Sequence, residues 1–251
     1  AGVIVTPDEL PGLMLEGNWA ALAPDERQYL VVAADRGLPP HFKDWAQRQC
    51  VPVIALDPGP QNRDCCDVNV TADELPAITT NIAANPRAAA IYCQVTRATV
   101  SLPLADALNV ESLGYATLQG GAEFRNWLHQ QPPRTPAVLP DPPVLVRREG
   151  DELHLTLNAA VNRNALSSGL RDAFTEGLRI AVSDASISAV VIRGLGPAFC
   201  AGGDLAEFGS MTDTALAHHI RTLQLPARYL AMLAGRVTCH VHGACIGAGI
   251  E

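Results

Sequence analysis

Two glycine-containing segments in the C-terminal half of the chain have the residues needed for an anion-binding backbone. Gly202 and Gly203 lie in the first segment, Ala198–Leu205, and three further glycines lie in the second, Val237–Glu251. Neighbouring glycines let the main chain turn sharply and approach a bound group closely. Main-chain N–H groups held at such turns stabilise negative charge that develops on an oxygen atom during a reaction. The two segments therefore predict an oxyanion site built from main-chain N–H groups.

The residues before the first glycine segment predict an α/β unit that positions it. Val144–Glu149 and Glu152–Leu157, on either side of a turn at Gly150-Asp151, predict a β-hairpin. Ser167 or Ser168 is a candidate cap for the helix that follows. Apolar residues recur on one face of this predicted helix: Leu170, Phe174, Leu178 and Ala181. The run Ala189–Gly194 then predicts a buried strand that leads into the glycine segment, so the order of elements is that of an α/β fold.

In this order, the two glycine segments resemble those of the enoyl-CoA hydratase/isomerase (crotonase) superfamily. Phe199–Leu205 is similar to the family's Ala-Phe-x-Ala-Gly-x-Asp loop, and His242–Glu251 to its Asn-Gly-x-Ala-x-Gly-Gly-Gly-x-Glu segment. The resemblance implies that the backbone N–H groups of Gly203 and Ala248 donate to a thioester carbonyl. It also places Glu251 at the first catalytic glutamate. Two residues depart from the family pattern, because the family usually has glycine at the Ala248 position and asparagine where the second segment begins.

The same resemblance implies a surface that binds coenzyme A (CoA). Asn158–Ser167 is similar to the family's early loop beside the CoA moiety, so Arg163 would face a CoA phosphate; a solvated loop arginine is the alternative. The implied substrate-binding positions are Arg163, Ala165, Ala201, Gly202, Asp204 and Leu205. Asp204 is also a candidate turn or cap residue, Glu207 is expected to be solvated, and Leu205–Phe208 is predicted to begin a helix. CoA enters as part of the substrate, and no separate cofactor is implied.

Proline residues mark the clearest boundary along the chain. Residues 131–143 are too rich in proline for a helix or a central strand and are predicted to be an extended linker. The resemblance implies that residues 144–251 form the first half of a crotonase-like domain, which is an α/β fold with a repeated ββα spiral. Residues 1–130 are an N-terminal α/β extension.

The N-terminal extension has weaker periodicity than the rest of the chain. Trp19–Ala34 and His41–Cys50 predict helices, and Val51–Leu56 predicts a strand. Asn85–Tyr92 is similar in sequence to Asp184–Val191, about one hundred residues later, and we refer to this similarity as an echo. Two interpretations are open: a degenerate half-crotonase repeat, or a chance similarity between periodic α/β sequences. The extension is therefore assigned no chemistry.

Composition excludes several classes of protein. The chain has 251 residues, of which 48% are hydrophobic and 18% charged, with a formal net charge of −8. This composition favours a folded, soluble protein and argues against a surface for nucleic acid or anionic membranes. No apolar run reaches the roughly 20 residues that a membrane-spanning helix needs. Seven cysteines without the spacing of a disulfide framework favour free thiols and a cytoplasmic location.

A compact group of possible metal ligands lies in the second glycine segment. Cys239, His240, His242 and Cys245 have a superficial likeness to a zinc-binding sequence. On a strand, however, His240 and His242 would share one face and Cys239 would point to the other. No metal site is predicted.

The resemblance implies an acyl-CoA enzyme, with enoyl-CoA hydratase or isomerase as the leading activity and a homotrimer or homohexamer as the assembly. A cofactor-free dihydroxyphenylacetyl-CoA-type dioxygenase and a non-catalytic interaction or oligomerisation module are the alternatives. In hydratases a second glutamate follows the position that Glu251 occupies. We therefore expect a species that ends at Glu251 to bind CoA weakly and not to hydrate crotonyl-CoA.

Overall fold

The computed structural model describes residues 4–15, 17–23 and 26–251. It divides into two compact units, Ala1–Phe124 and Arg125–Glu251, and these are described separately. Within the described residues, every helix is too short or too polar to cross a membrane.

The first unit is built on a parallel sheet of four strands. The strands are β1 (Ile4–Val5), β2 (Leu30–Ala33), β3 (Val53–Leu56) and β4 (Val68–Val70), and they lie side by side in chain order. The two central strands are continuous apolar runs that are almost entirely buried. This is the pattern expected of parallel strands that are covered on both faces.

Helices cover both faces of this sheet. They are α1 (Leu10–Leu15) and α2 (Phe42–Ala46) on one face, and α3 (Leu75–Ala84) and α4 (Pro86–Thr99) on the other; α5 (Leu104–Gln119) packs against α4. Successive residues of β2 point to opposite faces. Leu30 and Val32 accordingly pack with Phe42 of α2, whereas Val31 packs with Ile82 of α3.

Two of the expectations for this unit need correction. The helix predicted over Trp19–Ala34 is wrong, because only Trp19–Leu22 form a single 3₁₀ turn and Leu30–Ala33 form β2. The second half of that segment is apolar and β-branched, so its place between two parallel strands outweighs its helical periodicity. The helix predicted over His41–Cys50 is present but shorter, and the strand predicted over Val51–Leu56 is confirmed as β3.

The second unit contains the hairpin, helix and strand that the sequence predicts. After α6 (Ala122–Gln130), residues 131–143 belong to no helix or strand. The elements that follow are β5 (Val144–Glu149), β6 (Glu152–Leu157), α7 (Ser168–Ser183), β7 (Ala189–Gly194), α8 (Thr214–Leu223), α9 (Pro226–Met232) and β8 (Val237–His240). The sheet order is β5-β6-β7-β8, in which the first pair is antiparallel and the other two are parallel. The α/β class is confirmed.

Helix α7 packs on this sheet through the face that its sequence predicts. Ser167 caps the helix, since its Oγ accepts a hydrogen bond from the Leu170 N–H at 3.4 Å. The predicted apolar face is buried, and Leu178 has no exposed surface. A side chain at Gly177 would begin 2.8 Å from Cδ2 of Leu155, so glycine lets the helix approach β6 closely.

The structure does not support the echo between Asn85–Tyr92 and Asp184–Val191 as an internal repeat. Asn85–Tyr92 lead into and begin helix α4, whereas Asp184–Val191 lead into strand β7. The two segments have similar residues in different secondary structures, so this echo reflects composition rather than a repeated fold.

The packing of α7 makes one prediction about stability. Replacing Leu178 by alanine should lower the free energy of unfolding by about 2–5 kcal/mol, because it leaves a cavity in the core. Ile180→Ala, on the same helix but with 47% of the side chain exposed, is the matched control and should cost less than about 1 kcal/mol. Urea denaturation measures both values, and equal losses would contradict this packing.

Candidate functional site

The two glycine segments lie side by side beyond the ends of β7 and β8. The Phe199 N–H donates to the His242 carbonyl at 2.8 Å, and the Cys200 N–H donates to the Ala244 carbonyl at 3.2 Å. The Ile246 N–H donates back to the Cys200 carbonyl at 3.1 Å. These bonds continue the parallel pairing of β7 with β8, so the sheet itself brings the two loops together.

Glycine is needed where the two loops touch. Gly202 has a φ of +89°, and a side chain there would begin 2.7 Å from the carbonyl oxygen of Ile246. A side chain at Gly249 would begin 2.5 Å from the carbonyl oxygen of Cys200. Any larger residue at either position would force the loops apart.

The first predicted donor, Gly203, has an N–H that the local pairing leaves free. Leu166 makes both hydrogen bonds of a short parallel bridge, because it donates to the Gly202 carbonyl at 2.7 Å and accepts from the Asp204 N–H at 3.4 Å. In such a bridge the N–H of the middle residue points away from the partner strand. Within the described part of the chain, the exposed Gly203 N–H has no acceptor.

The second predicted donor, Ala248, is also free and exposed. It is the middle residue of a 3₁₀ turn, Gly247–Gly249, whose first internal bond is made by the N–H of Gly249 to the Ile246 carbonyl. N–H groups that precede this bond have no partner within the turn. Ala248 lies outside the left-handed region of φ, so alanine replaces the family's usual glycine without strain.

The two free amides follow directly after the residues at which the loops are in contact. A side chain at Gly247 would begin 4.0 Å from Cα of Gly202. Gly203 and Ala248 are the next residues on each loop. The structure thus brings the two predicted donors onto neighbouring loops of one sheet edge.

The early loop is held against the first glycine segment by its backbone and by one buried asparagine. The Arg163 carbonyl accepts from the Ala201 N–H at 3.1 Å. Asn164 has no exposed surface; its Oδ1 accepts from the Ala159 N–H, and its Nδ2 donates to two carbonyls of the 195–198 turn. The sequence pattern did not indicate this role of Asn164. The sequence feature that could have indicated it is an asparagine in a short loop, because asparagine tolerates a positive φ such as the +54° found here.

The predicted CoA-binding residues of this loop differ in exposure. Arg163 is exposed on the early loop. It is therefore available to a phosphate. Ala165 is buried, with 8% of its surface exposed.

The two carboxylates that follow Gly203 both fix the backbone. Asp204 Oδ1 accepts from the Ala206 N–H at 2.9 Å, and Oδ2 accepts from Asn162 Nδ2 at 3.1 Å, which confirms that Asp204 is a turn residue. Glu207, which was expected to be solvated, is partly exposed and also makes specific contacts. Its two carboxylate oxygens accept from the N–H and Oγ of Ser168, at 2.8 and 2.9 Å, at the N-terminus of α7. A negative charge is stabilising at that end of a helix.

The helix predicted to begin at Leu205–Phe208 is absent from the described structure. These residues form turns, and the next helix begins at Thr214. The Asp204 side chain bonds to the backbone two residues later, which offers the main chain an alternative to helix. Leu205, a predicted substrate contact, is 40% exposed on this turn.

Glu251 and the histidines complete the set of predicted residues. The Glu251 N–H donates to the Gly247 carbonyl at 3.0 Å, and its side chain is exposed. His242 lies beyond the end of β8, so it does not share a strand face with His240 as predicted; its Nε2 lies 2.9 Å from the Gly196 carbonyl. Among the described residues, no three histidine, cysteine or acidic side chains are placed to hold a metal ion.

Comparison with known proteins identifies relatives of the segment that forms this site. The sequence model of the enoyl-CoA hydratase/isomerase family matches residues 151–251. The 2,3-dehydroadipyl-CoA hydratase of Escherichia coli strain K12 is 37% identical over 108 residues, which cover 43% of this chain and 42% of that protein. A peroxisomal Δ(3,5)-Δ(2,4)-dienoyl-CoA isomerase of Arabidopsis thaliana is 26% identical over 121 residues, which cover 43% and 44% of the two chains.

The matching solved structures cover a share of this chain similar to that covered by the sequence relatives. An enoyl-CoA hydratase/isomerase from Mycobacterium paratuberculosis is 27% identical with a TM-score of 0.39, and the match covers 44% of this chain and 45% of that one. The chain spans less than half the length of the curated relatives it matches.

The contact between Glu207 and Ser168 is expected to contribute to the stability of the fold. Glu207→Ala should lower the free energy of unfolding by about 1 kcal/mol, because the N-terminus of α7 loses a charged cap. Glu176→Ala is the matched control on the same helix, where the carboxylate makes only an exposed pair with Arg179 and its loss should cost less. Urea denaturation of both variants is the measurement, and an equal effect of the two would show that Glu207 is not a cap.

Proposed function

Because residues 151–251 belong to the enoyl-CoA hydratase/isomerase (crotonase) superfamily, we propose that this protein binds acyl-CoA thioesters and stabilises their enolates. The observation that supports the proposal is the pair of free, exposed amides at Gly203 and Ala248, which follow the two loop glycines that are in contact. The thioester oxygen would accept both N–H groups.

The chemistry of the proposed reaction explains why two backbone donors are useful. Removal of a proton next to a thioester, or addition of water to its conjugated double bond, moves negative charge onto the carbonyl oxygen. Backbone dipoles that already point at that oxygen stabilise the charge without reorganising, and one such donor is worth roughly 3–4 kcal/mol. The turns around Gly203 and Ala248 are held by hydrogen bonds on both sides, so the donors are preorganised.

The remaining roles follow from the position and charge of three residues. Glu251, one turn after Gly247, would act as the general base that moves the proton or orients water. Arg163, exposed on the early loop, would pair with a phosphate of CoA. Asp204 would hold the turn through its contacts with Asn162 and Ala206 rather than by touching the substrate.

Hydration or isomerisation of an enoyl-CoA is the activity that the relatives support, because they are named as hydratases and isomerases. No feature of the described structure favours the dioxygenase or the non-catalytic alternative. We also propose a cytoplasmic location, in keeping with seven cysteines that are all unpaired. A homotrimer or homohexamer remains part of this proposal.

The spectrum of bound acetoacetyl-CoA tests the proposal. This β-keto thioester ionises readily, and its enolate absorbs at longer wavelength than its keto form. A site that stabilises the enolate should therefore increase the enolate band when the protein binds the ester. Gly203→Pro removes one donor and should weaken enolate binding about 10²–10³-fold.

Gly203→Ala is the matched control for this experiment. It retains the N–H, and its added carbon would lie 3.4 Å from the nearest atom of Phe208, an ordinary contact distance. We expect Gly203→Ala to keep the enolate band. An unchanged band in Gly203→Pro, with the fold intact by circular dichroism, would show that this amide is not an oxyanion donor.

A further inference from the structure

We propose that the thiol of Cys245 positions the second oxyanion donor, the N–H of Ala248, through a series of hydrogen bonds along the main chain. The inference rests on the proposed function and adds a positioning residue to it. Cys245 lies in the second glycine segment, and its side chain is half-buried. It acts through the peptide groups of the turn rather than by contact with the thioester.

The peptide group that carries the Ala248 N–H is held at its carbonyl end. This carbonyl belongs to Gly247, and it accepts hydrogen bonds from the N–H groups of Ile250 at 2.8 Å and Glu251 at 3.0 Å. A trans peptide group is planar, and its N–H and C=O point in opposite directions. Two donors on the carbonyl side therefore fix the direction in which the Ala248 N–H points.

The thiol of Cys245 holds the next peptide group of the turn. Its Sγ donates to the Gly249 carbonyl at 3.0 Å. That carbonyl is in the same peptide group as the Ile250 N–H, so the thiol fixes the plane from which Ile250 donates to Gly247. The bonds form one continuous series, which runs from the thiol through the Gly249–Ile250 peptide group and the Gly247–Ala248 peptide group to the exposed Ala248 N–H.

A series of this kind strengthens the last donor as well as orienting it. A peptide group whose carbonyl accepts a hydrogen bond becomes more polar, so its N–H becomes a better donor. The first donor has a similar arrangement, because the Gly202 carbonyl, in the same peptide group as the Gly203 N–H, accepts from the Leu166 N–H at 2.7 Å. That series begins at the backbone, whereas the series to Ala248 begins at a side chain. Substitution of Cys245 should therefore change one donor and leave the other.

The amide resonances of the free, ¹⁵N-labelled protein test the hydrogen-bond series without a substrate. Cys245→Ala removes the thiol and should move the amide protons of Ile250 and Ala248 upfield, because both peptide groups lose polarisation. Cys245→Ser keeps a donor at this position and should restore most of the shift. Cys239→Ala removes an exposed thiol of β8 and is the matched control, which should leave both resonances in place. Unmoved resonances in Cys245→Ala would overturn the series.

Binding of two thioesters tests the role of the thiol in the proposed reaction. Cys245→Ala should weaken binding of the acetoacetyl-CoA enolate about threefold to tenfold, the effect of losing one hydrogen bond. The affinity for acetyl-CoA should change less than about twofold, because its carbonyl oxygen carries no full charge. Cys245→Ser should recover most of the enolate affinity, and Cys239→Ala should keep all of it. An equal loss for both esters would show that the thiol only stabilises the loop, and would overturn the positioning role.

The wild-type protein separates this proposal from the proposed function. Acetoacetyl-CoA that binds to it without an enolate band would overturn the proposed function and the positioning role together. If the wild-type protein gives the band, an unchanged enolate affinity in Cys245→Ala would overturn the positioning role alone.

Discussion

The site depends on the backbone pairing of Cys200 with the segment from Ala244 to Ile246. This pairing extends the parallel sheet past the ends of β7 and β8 and places the two glycine segments next to each other. The pairing also determines which main-chain N–H groups of the two loops are hydrogen-bonded and which have no acceptor. Since main-chain groups would make the proposed oxyanion site, its geometry would be set by the fold rather than by side-chain rotamers.

Several unrelated contacts converge on the first glycine segment and keep it rigid. Asn164 bonds to the turn that precedes it, Leu166 bonds on both sides of Gly203, and Glu207 ties its far end to the N-terminus of α7. Each contact removes freedom from the loop before a ligand arrives. Stabilisation of an oxyanion by fixed dipoles requires this, because dipoles that must reorient spend much of their effect on reorganisation.

The sequence predicted the second unit well because its signals there are local. The hairpin, the Ser167 cap, the buried face of α7 and strand β7 each follow from residues that are close together in the chain. It failed for β2, whose apolar run is helical in periodicity but is buried between two strands. It also missed the role of Glu207, because its partner, Ser168, lies 39 residues away and only the fold brings the two together.

The amide proton resonances of Gly203 and Ala248 test the central claim most directly. We expect both to move downfield together when acetoacetyl-CoA is added to ¹⁵N-labelled protein, since both N–H groups would then donate to the enolate oxygen. Neighbouring amides that are already hydrogen-bonded, such as that of Cys200, should move much less. Binding of the ester with no shift at Gly203 or Ala248, or with a shift at only one of them, would contradict a site built from this pair of donors.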